Sequence, residues 1–143
     1  MKIKKNLFLK FFTVLGLFIL ISCGSSPSRT IPTSNSDYEN IIGVPIKIEN
    51  LEVAQYDFPN KMNWYVANRA FHKLGDGWRL PTKDELNTLY QNKTAIGGFE
   101  NDFYWSSTQS INLVTAWYQD FAIGFQGDYG KDGAGYVRAI RAF

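Results

Sequence analysis

The sequence predicts an α+β domain, two helices followed by a mainly antiparallel sheet, and three observations carry that prediction. Apolar residues recur at helical spacing between Asn63 and Leu74. The tetrapeptide Thr82-Lys83-Asp84-Glu85 is a capping motif that opens a second helix. From Phe103 onward the chain alternates like strand and is broken by glycine-rich turns.

The elements follow in order. Residues 41–53 alternate loosely, with Ile46, Ile48, Leu51 and Val53 apolar, and predict one or two short strands. Asp57-Phe58-Pro59-Asn60 reads as a turn. The first helix spans 63–74: Asn63 is a good N-cap, and Val66, Ala67, Ala70, Phe71 and Leu74 form one stripe. Gly75 stands where a left-handed C-terminal cap is wanted, and Asp76-Gly77 continues the turn. The second helix spans 82–91, with Leu86, Leu89 and Tyr90 as its apolar face. A strand follows at 103–107. A longer one is expected at 115–125, with Trp117, Phe121, Ile123 and Phe125 on one face and Ala116, Tyr118 and Asp120 on the other. Residues 126–135 hold four glycines and two aspartates and read as a hairpin loop, and 136–143 is the closing strand.

The N-terminal residues describe a different task. Met1-Lys2-Ile3-Lys4-Lys5 is basic, and an apolar run at 11–21 is broken only by Thr13 and Gly16. A basic start and a short apolar run form the pattern of a signal peptide over 1–22. The run is shorter than the roughly 20 apolar residues of a spanning helix. Leu20-Ile21-Ser22-Cys23 resembles the bacterial lipobox, which implies cleavage before Cys23, lipidation of its thiol and anchoring to a membrane. Cys23 is the only cysteine, so no intramolecular disulfide forms and no multi-thiolate metal site exists. Residues 23–36 are rich in Ser, Pro and Thr and predict a lipidated flexible tether, leaving 37–143 as a single globular domain. No acidic residue follows in Gly24-Ser25-Ser26, so the expected location is the outer membrane facing the periplasm, with surface display as the alternative.

Charge narrows the partners. Lys2, Lys4, Lys5 and Lys10 lie in the signal peptide, together with no acid. Without them 15 bases against 13 acids become 11 against 13, a formal charge of −2. No basic tract remains, and no nucleic-acid partner is expected.

A family likeness runs through Met62-Asn63-Trp64, the segment Leu74-Gly75-Asp76-Gly77-Trp78-Arg79-Leu80-Pro81-Thr82, Glu85-Leu86, Tyr104-Trp105-Ser106-Ser107-Thr108, Ala116-Trp117-Tyr118 and Tyr136-Val137-Arg138-Ala139-Ile140-Arg141. In this order the set resembles the domain family typified by the C-terminal domain of the collagen-like adhesin Lcl. It also looks like the Fibrobacter major paralogous domain. The resemblance implies a C-type-lectin-like fold, of a kind that mostly binds glycans, proteins or surfaces. Ala139 stands where some members carry a cysteine.

The motif residues have structural readings. Trp78 is expected in the core and Arg79 on an acid, with Trp105 and Trp117 as core residues, and Arg138 and Arg141 paired with acids or carbonyls across the sheet. Enzyme signals are thin. His72 is the only histidine and faces away from the helix stripe, Ser106-Ser107-Thr108 has no nucleophile-elbow pattern, and Asp84/Glu85 is explained by capping. Glu100 or Asp102 could serve a hydrolase, but no partner group points to it. Asp128 and Asp132 could supply two oxygens to calcium, which needs six to eight; no metal and no cofactor are expected. Aromatics make up 16% of the chain, and tyrosine and tryptophan both stack on sugars and anchor interfaces. Tyr118, Asp120, Asp128 and Tyr129 are the expected ligand contacts, with Tyr129 at a loop tip. The expected function is a membrane-anchored, non-catalytic binding module of the cell envelope for a glycan or a partner protein. The alternatives are a structural envelope lipoprotein and an enzyme acting on envelope glycans.

Overall fold

The computed structural model describes residues 40–143. The segments expected as signal peptide and tether, with Cys23, lie outside the described residues. Residues 40–42 are helical, not the start of a strand, and Ile41 is packed in the core. The strands begin later, as β1 (Ile46–Ile48) and β2 (Leu51–Asp57), which pair antiparallel through the tight turn at Glu49 and Asn50.

Helix α1 (Trp64–Ala70) begins where the sequence placed it, because the Asn63 side chain accepts from the Val66 amide at 2.9 Å. It tightens into a 3-10 turn (Phe71–Lys73) before Gly75, which is left-handed at φ 63°. Helix α2 (Lys83–Gln91) carries the full capping box. Thr82 accepts from the Glu85 amide, and Glu85 accepts from the Thr82 amide. A short helix, α3 (Lys93–Ile96), follows it.

The remaining strands are β3 (Phe103–Gln109), β4 (Thr115–Asp120), β5 (Gln126–Gly130) and β6 (Arg138–Ala142). Two antiparallel three-stranded sheets result among the described residues, in the orders β1-β2-β6 and β3-β4-β5. The last strand therefore crosses back to the first sheet. The architecture is α+β, as the sequence predicts.

Two sequence expectations fail in this region. Residues 115–125 are not one strand: β4 stops at Asp120, whose carboxylate accepts from the Ala122 amide and turns the chain, and Gly124 completes the turn at φ 80°. The apolar alternation through Ile123 and Phe125 mimicked a continuing strand, yet those side chains are exposed. Residues 126–135 are not all loop either, since 126–130 form β5, paired with β4 from Gln119↔Gln126 to Thr115↔Gly130.

Each face of β4 carries one buried residue, Ala116 and Gln119, and the core forms two clusters. On one side Ala116 joins Trp105, Trp64, Phe58, Phe71, Trp78 and Val137. On the other Phe121 joins Tyr104, Leu86, Leu89, Val53 and Ile140. Trp78 and Trp105 are core residues, as expected. Trp117 is only half-buried, with the Lys83 ammonium 3.3 Å from its ring centre.

Candidate functional site

The four expected contact residues do not share a face. Strand alternation puts Tyr118 and Asp120 on one side of β4, and the register Ala116↔Tyr129 and Trp117↔Asp128 puts Tyr129 on that side and Asp128 on the other. Asp120 is engaged in its turn. Asp128 accepts from the Thr115 hydroxyl at 2.8 Å, which holds its carboxyl below the usual range. Tyr129 is not at a loop tip but in β5. It is half exposed, with its ring 5.7 Å from Phe103 and 6.3 Å from Trp105.

What the strands bring together is an aromatic strip. Phe103 lies 5.2 Å from Tyr118, and Tyr118 lies 6.3 Å from Phe125. Tyr129, Phe103, Tyr118 and Phe125 thus share one side of this sheet: Phe103 and Tyr118 pack partly against the core, and Tyr129 and Phe125 are its exposed ends. Phe125 is 57% and Tyr129 is 51% exposed, enough to leave ring faces free. Glycines seat these rings. A side chain at Gly127 would meet Phe125 at 2.9 Å and Tyr118 at 3.1 Å, and one at Gly135 would meet Phe103 at 2.7 Å. The glycines of 126–135 therefore make room for aromatics as well as for turning.

Polar groups continue the strip. Lys61 lies 5.7 Å from the Phe103 ring and 4.9 Å from the Tyr136 ring, and its ammonium pairs with Asp102. Burial pushes the Asp102 carboxyl up, but Lys61 and the Phe103 amide outweigh it and hold the group below its ordinary value. Beyond Lys61 opens a cavity of about 480 Å³ lined by Tyr56, Asp57, Asn60, Glu100 and Tyr136 among others. Sequence reasoning missed Phe103, Lys61 and Tyr136 as surface groups. Phe103 reads as an ordinary strand residue, and only the return of residue 136 beside β3 brings the other two to it.

The cavity holds two carboxylates, Asp57 and Glu100, which is the usual starting point for glycan hydrolysis. Burial pushes Asp57 up, against the lowering effect of Arg138. Both of its oxygens are engaged, one by Arg138 Nε at 2.5 Å and the other by the Tyr104 hydroxyl at 2.6 Å. Burial likewise pushes the Tyr104 phenol up, so it stays a donor. Each Asp57 oxygen is thus already engaged within the fold.

A second cavity, about 490 Å³, lies along the Gly75-Asp76-Gly77-Trp78-Arg79 turn. His72 lines it and is exposed. Arg79 is held there by a two-pronged pair with Glu85, both bonds 2.7 Å, and that bond with the Thr82 cap lowers Glu85 to about 2. The acid expected for Arg79 is therefore Glu85, three residues into its own capping box. Among the described residues no three His, Cys, Asp or Glu side chains converge as metal ligands.

Fold and site define a small α+β domain that presents a strip of aromatic rings on a rigid sheet. Residues 46–141 match the family model of the Lcl C-terminal domain, well over half of the 143-residue chain, and the chain belongs to that family. No curated protein shows a significant match to it.

Proposed function

We propose that this chain is a membrane-anchored, non-catalytic binding module of the cell envelope, and that its C-type-lectin-like domain takes a glycan on the strip Tyr129–Phe103–Tyr118–Phe125. The aromatic strip is the observation that supports this reading. Sugar rings offer C–H faces that stack on aromatic rings and hydroxyls that need polar partners between them. Half-exposed rings flanked by Lys61, Asp102 and Glu100 match both requirements. A partner protein anchored by the same rings is the other occupant of this face. The lipobox at Leu20-Ile21-Ser22-Cys23 supports anchoring, outer-membrane placement facing the periplasm, and a domain held off the lipid by its tether.

A glycan array probed with the protein, with and without chelator, tests the binding reading. Tyr118→Ala and Tyr129→Ala should each weaken a hit by about tenfold, the loss of one stacked aromatic. A glycan bound equally well by both variants puts the site elsewhere, and cleavage of an envelope polymer by the purified protein overturns the non-catalytic reading. Anchoring has its own test. Cys23→Ala should leave the membrane fraction or accumulate as uncut precursor, whereas mature size with full membrane retention refutes lipidation.

A further inference from the structure

We infer that the tip of the β3–β4 hairpin is a lipid-contacting wedge that seats the domain on a bilayer surface. Its side chains are Ile111, Leu113 and Val114, exposed by 103%, 73% and 63%. No charged residue stands between Ser110 and Thr115. Three outward aliphatics in four residues are a poor arrangement for water, and they do not build the core.

Part of the backbone of this loop is bonded internally. The Ser110 amide donates to the Thr115 carbonyl at 3.2 Å, and the Thr115 amide to the Asn112 carbonyl at 2.9 Å. The Asn112 side chain accepts from the Val114 amide. Lys131 adds two more bonds to the loop backbone. Its amide donates to the Val114 carbonyl at 3.0 Å, and its buried ammonium reaches the Leu113 carbonyl at 2.5 Å and Gln109 Oε1 at 2.6 Å. Peptide groups entering a lipid interface must be bonded internally, since hydrocarbon offers them nothing. The same lysine lies 5.9 Å from the ring of Tyr65, which is 45% exposed and suited to the headgroup level.

The occupant follows from shape, chemistry and tether length. An aliphatic tip without a charged group offers little that is directional for a partner to read, which fits a fluid lipid surface. The inference rests on the proposed anchor at Cys23. Sixteen residues lie between Cys23 and Asn40, where the described domain begins. At full stretch they reach about 60 Å, so the tip stays within range of the bilayer holding the anchor. A wedge that is weak alone becomes effective as a second attachment.

The test uses the full chain in vesicles of phosphatidylethanolamine and phosphatidylglycerol, with an environment-sensitive dye on Leu113→Cys or on Thr94→Cys. Thr94 is exposed on α3, which Lys93 ties to the Phe121 carbonyl at the opposite end of β4. Dye at 113 should shift to the blue and be quenched by nitroxide-bearing lipids, and dye at 94 should do neither. Adding Ile111→Asp to Leu113→Cys should abolish the quenching while Cys23 keeps the protein in the membrane fraction. No lipid quenching at 113, or a blue shift that persists without vesicles because a second copy covers the tip, overturns the inference. Dye uptake at Cys23 itself would refute the anchor instead, and the tip is then judged by its own quenching in a Cys23→Ser background.

Discussion

In the β1-β2-β6 sheet a charged side chain, Arg138, has no exposed surface, whereas at the β3-β4-β5 sheet two aromatic ones, Tyr129 in β5 and Phe125 in the turn before it, stand more than half exposed. Arg138 is engaged on every side. It pairs with Asp57, donates to the carbonyls of Ala54, Gln55 and Gly98, and lies 4.2 Å over the ring of Phe99. Its donors tie β2 and β6 to the loop before β3. The inversion teaches where to look for each role. A buried charge with all its partners is framework, and apolar rings held outward on a rigid sheet are surface for another molecule.

The largest effect should come from breaking the framework. Arg138→Met keeps roughly the volume but takes away the donor to one Asp57 oxygen and to several carbonyls in the interior. A loss of about 3–5 kcal/mol is expected, read by urea denaturation. A loss below about 1 kcal/mol would show that water serves those groups as well, and that Arg138 does not organise the sheet.

A smaller effect should follow at the Arg79–Glu85 pair, which lies between the two regimes, half-buried and near the surface. Glu85→Gln removes the pair and weakens the cap, for about 1–2 kcal/mol after allowing for solvent screening. The pH dependence has a definite sign. Glu85 is lowered in the folded chain from 4.5 to about 2. Its contribution is therefore complete above about pH 4.5 and declines as pH falls towards 2. Thermal melts from pH 5 to pH 2.5 should show a steeper loss of stability in the native chain than in Glu85→Gln. Parallel curves would remove Glu85 as the source.

How much of this was legible depends on whether the signal is local. Asn63, Thr82 and Glu85 fix helix starts through bonds three residues apart, and both starts were read correctly. The partners of Arg79, Arg138 and Arg141 were expected as a class, acids or carbonyls, but Asp57 lies 81 positions from Arg138 and Glu52 lies 89 from Arg141. Only the crossing of β6 to the first sheet brings them together. β5 was misread because Gln126-Gly127-Asp128-Tyr129-Gly130 has little strand preference of its own; pairing with β4 overrides it. The clue that was available is Asp120 with Gly124, a side chain that bonds its own turn and a residue free to be left-handed. The aromatic site was half legible. Tyr118 and Tyr129 lie in the strip, whereas Asp120 is taken up by its own turn and strand parity puts Asp128 on the other side of the sheet.

The smallest change in stability should come from the exposed strip, and it decides whether the strip is surface or merely loose packing. Tyr129→Ala removes a half-exposed ring and should cost about 1 kcal/mol or less. Glycan or partner binding should nonetheless fall about tenfold, a separation of effects that Arg138→Met should not show because it weakens the whole framework. Gly133→Ala sharpens the point. A β-carbon there would meet Tyr129 Cδ1 at 2.7 Å, well inside contact distance, so the ring must swing away while keeping its chemistry. If the strip works by holding rings in line, Gly133→Ala should reproduce the binding loss of Tyr129→Ala with tyrosine still present. Binding unchanged in Gly133→Ala but lost in Tyr129→Ala would mean that the hydroxyl or bulk of Tyr129 acts from any orientation, and that the alignment with Phe103 and Tyr118 is incidental.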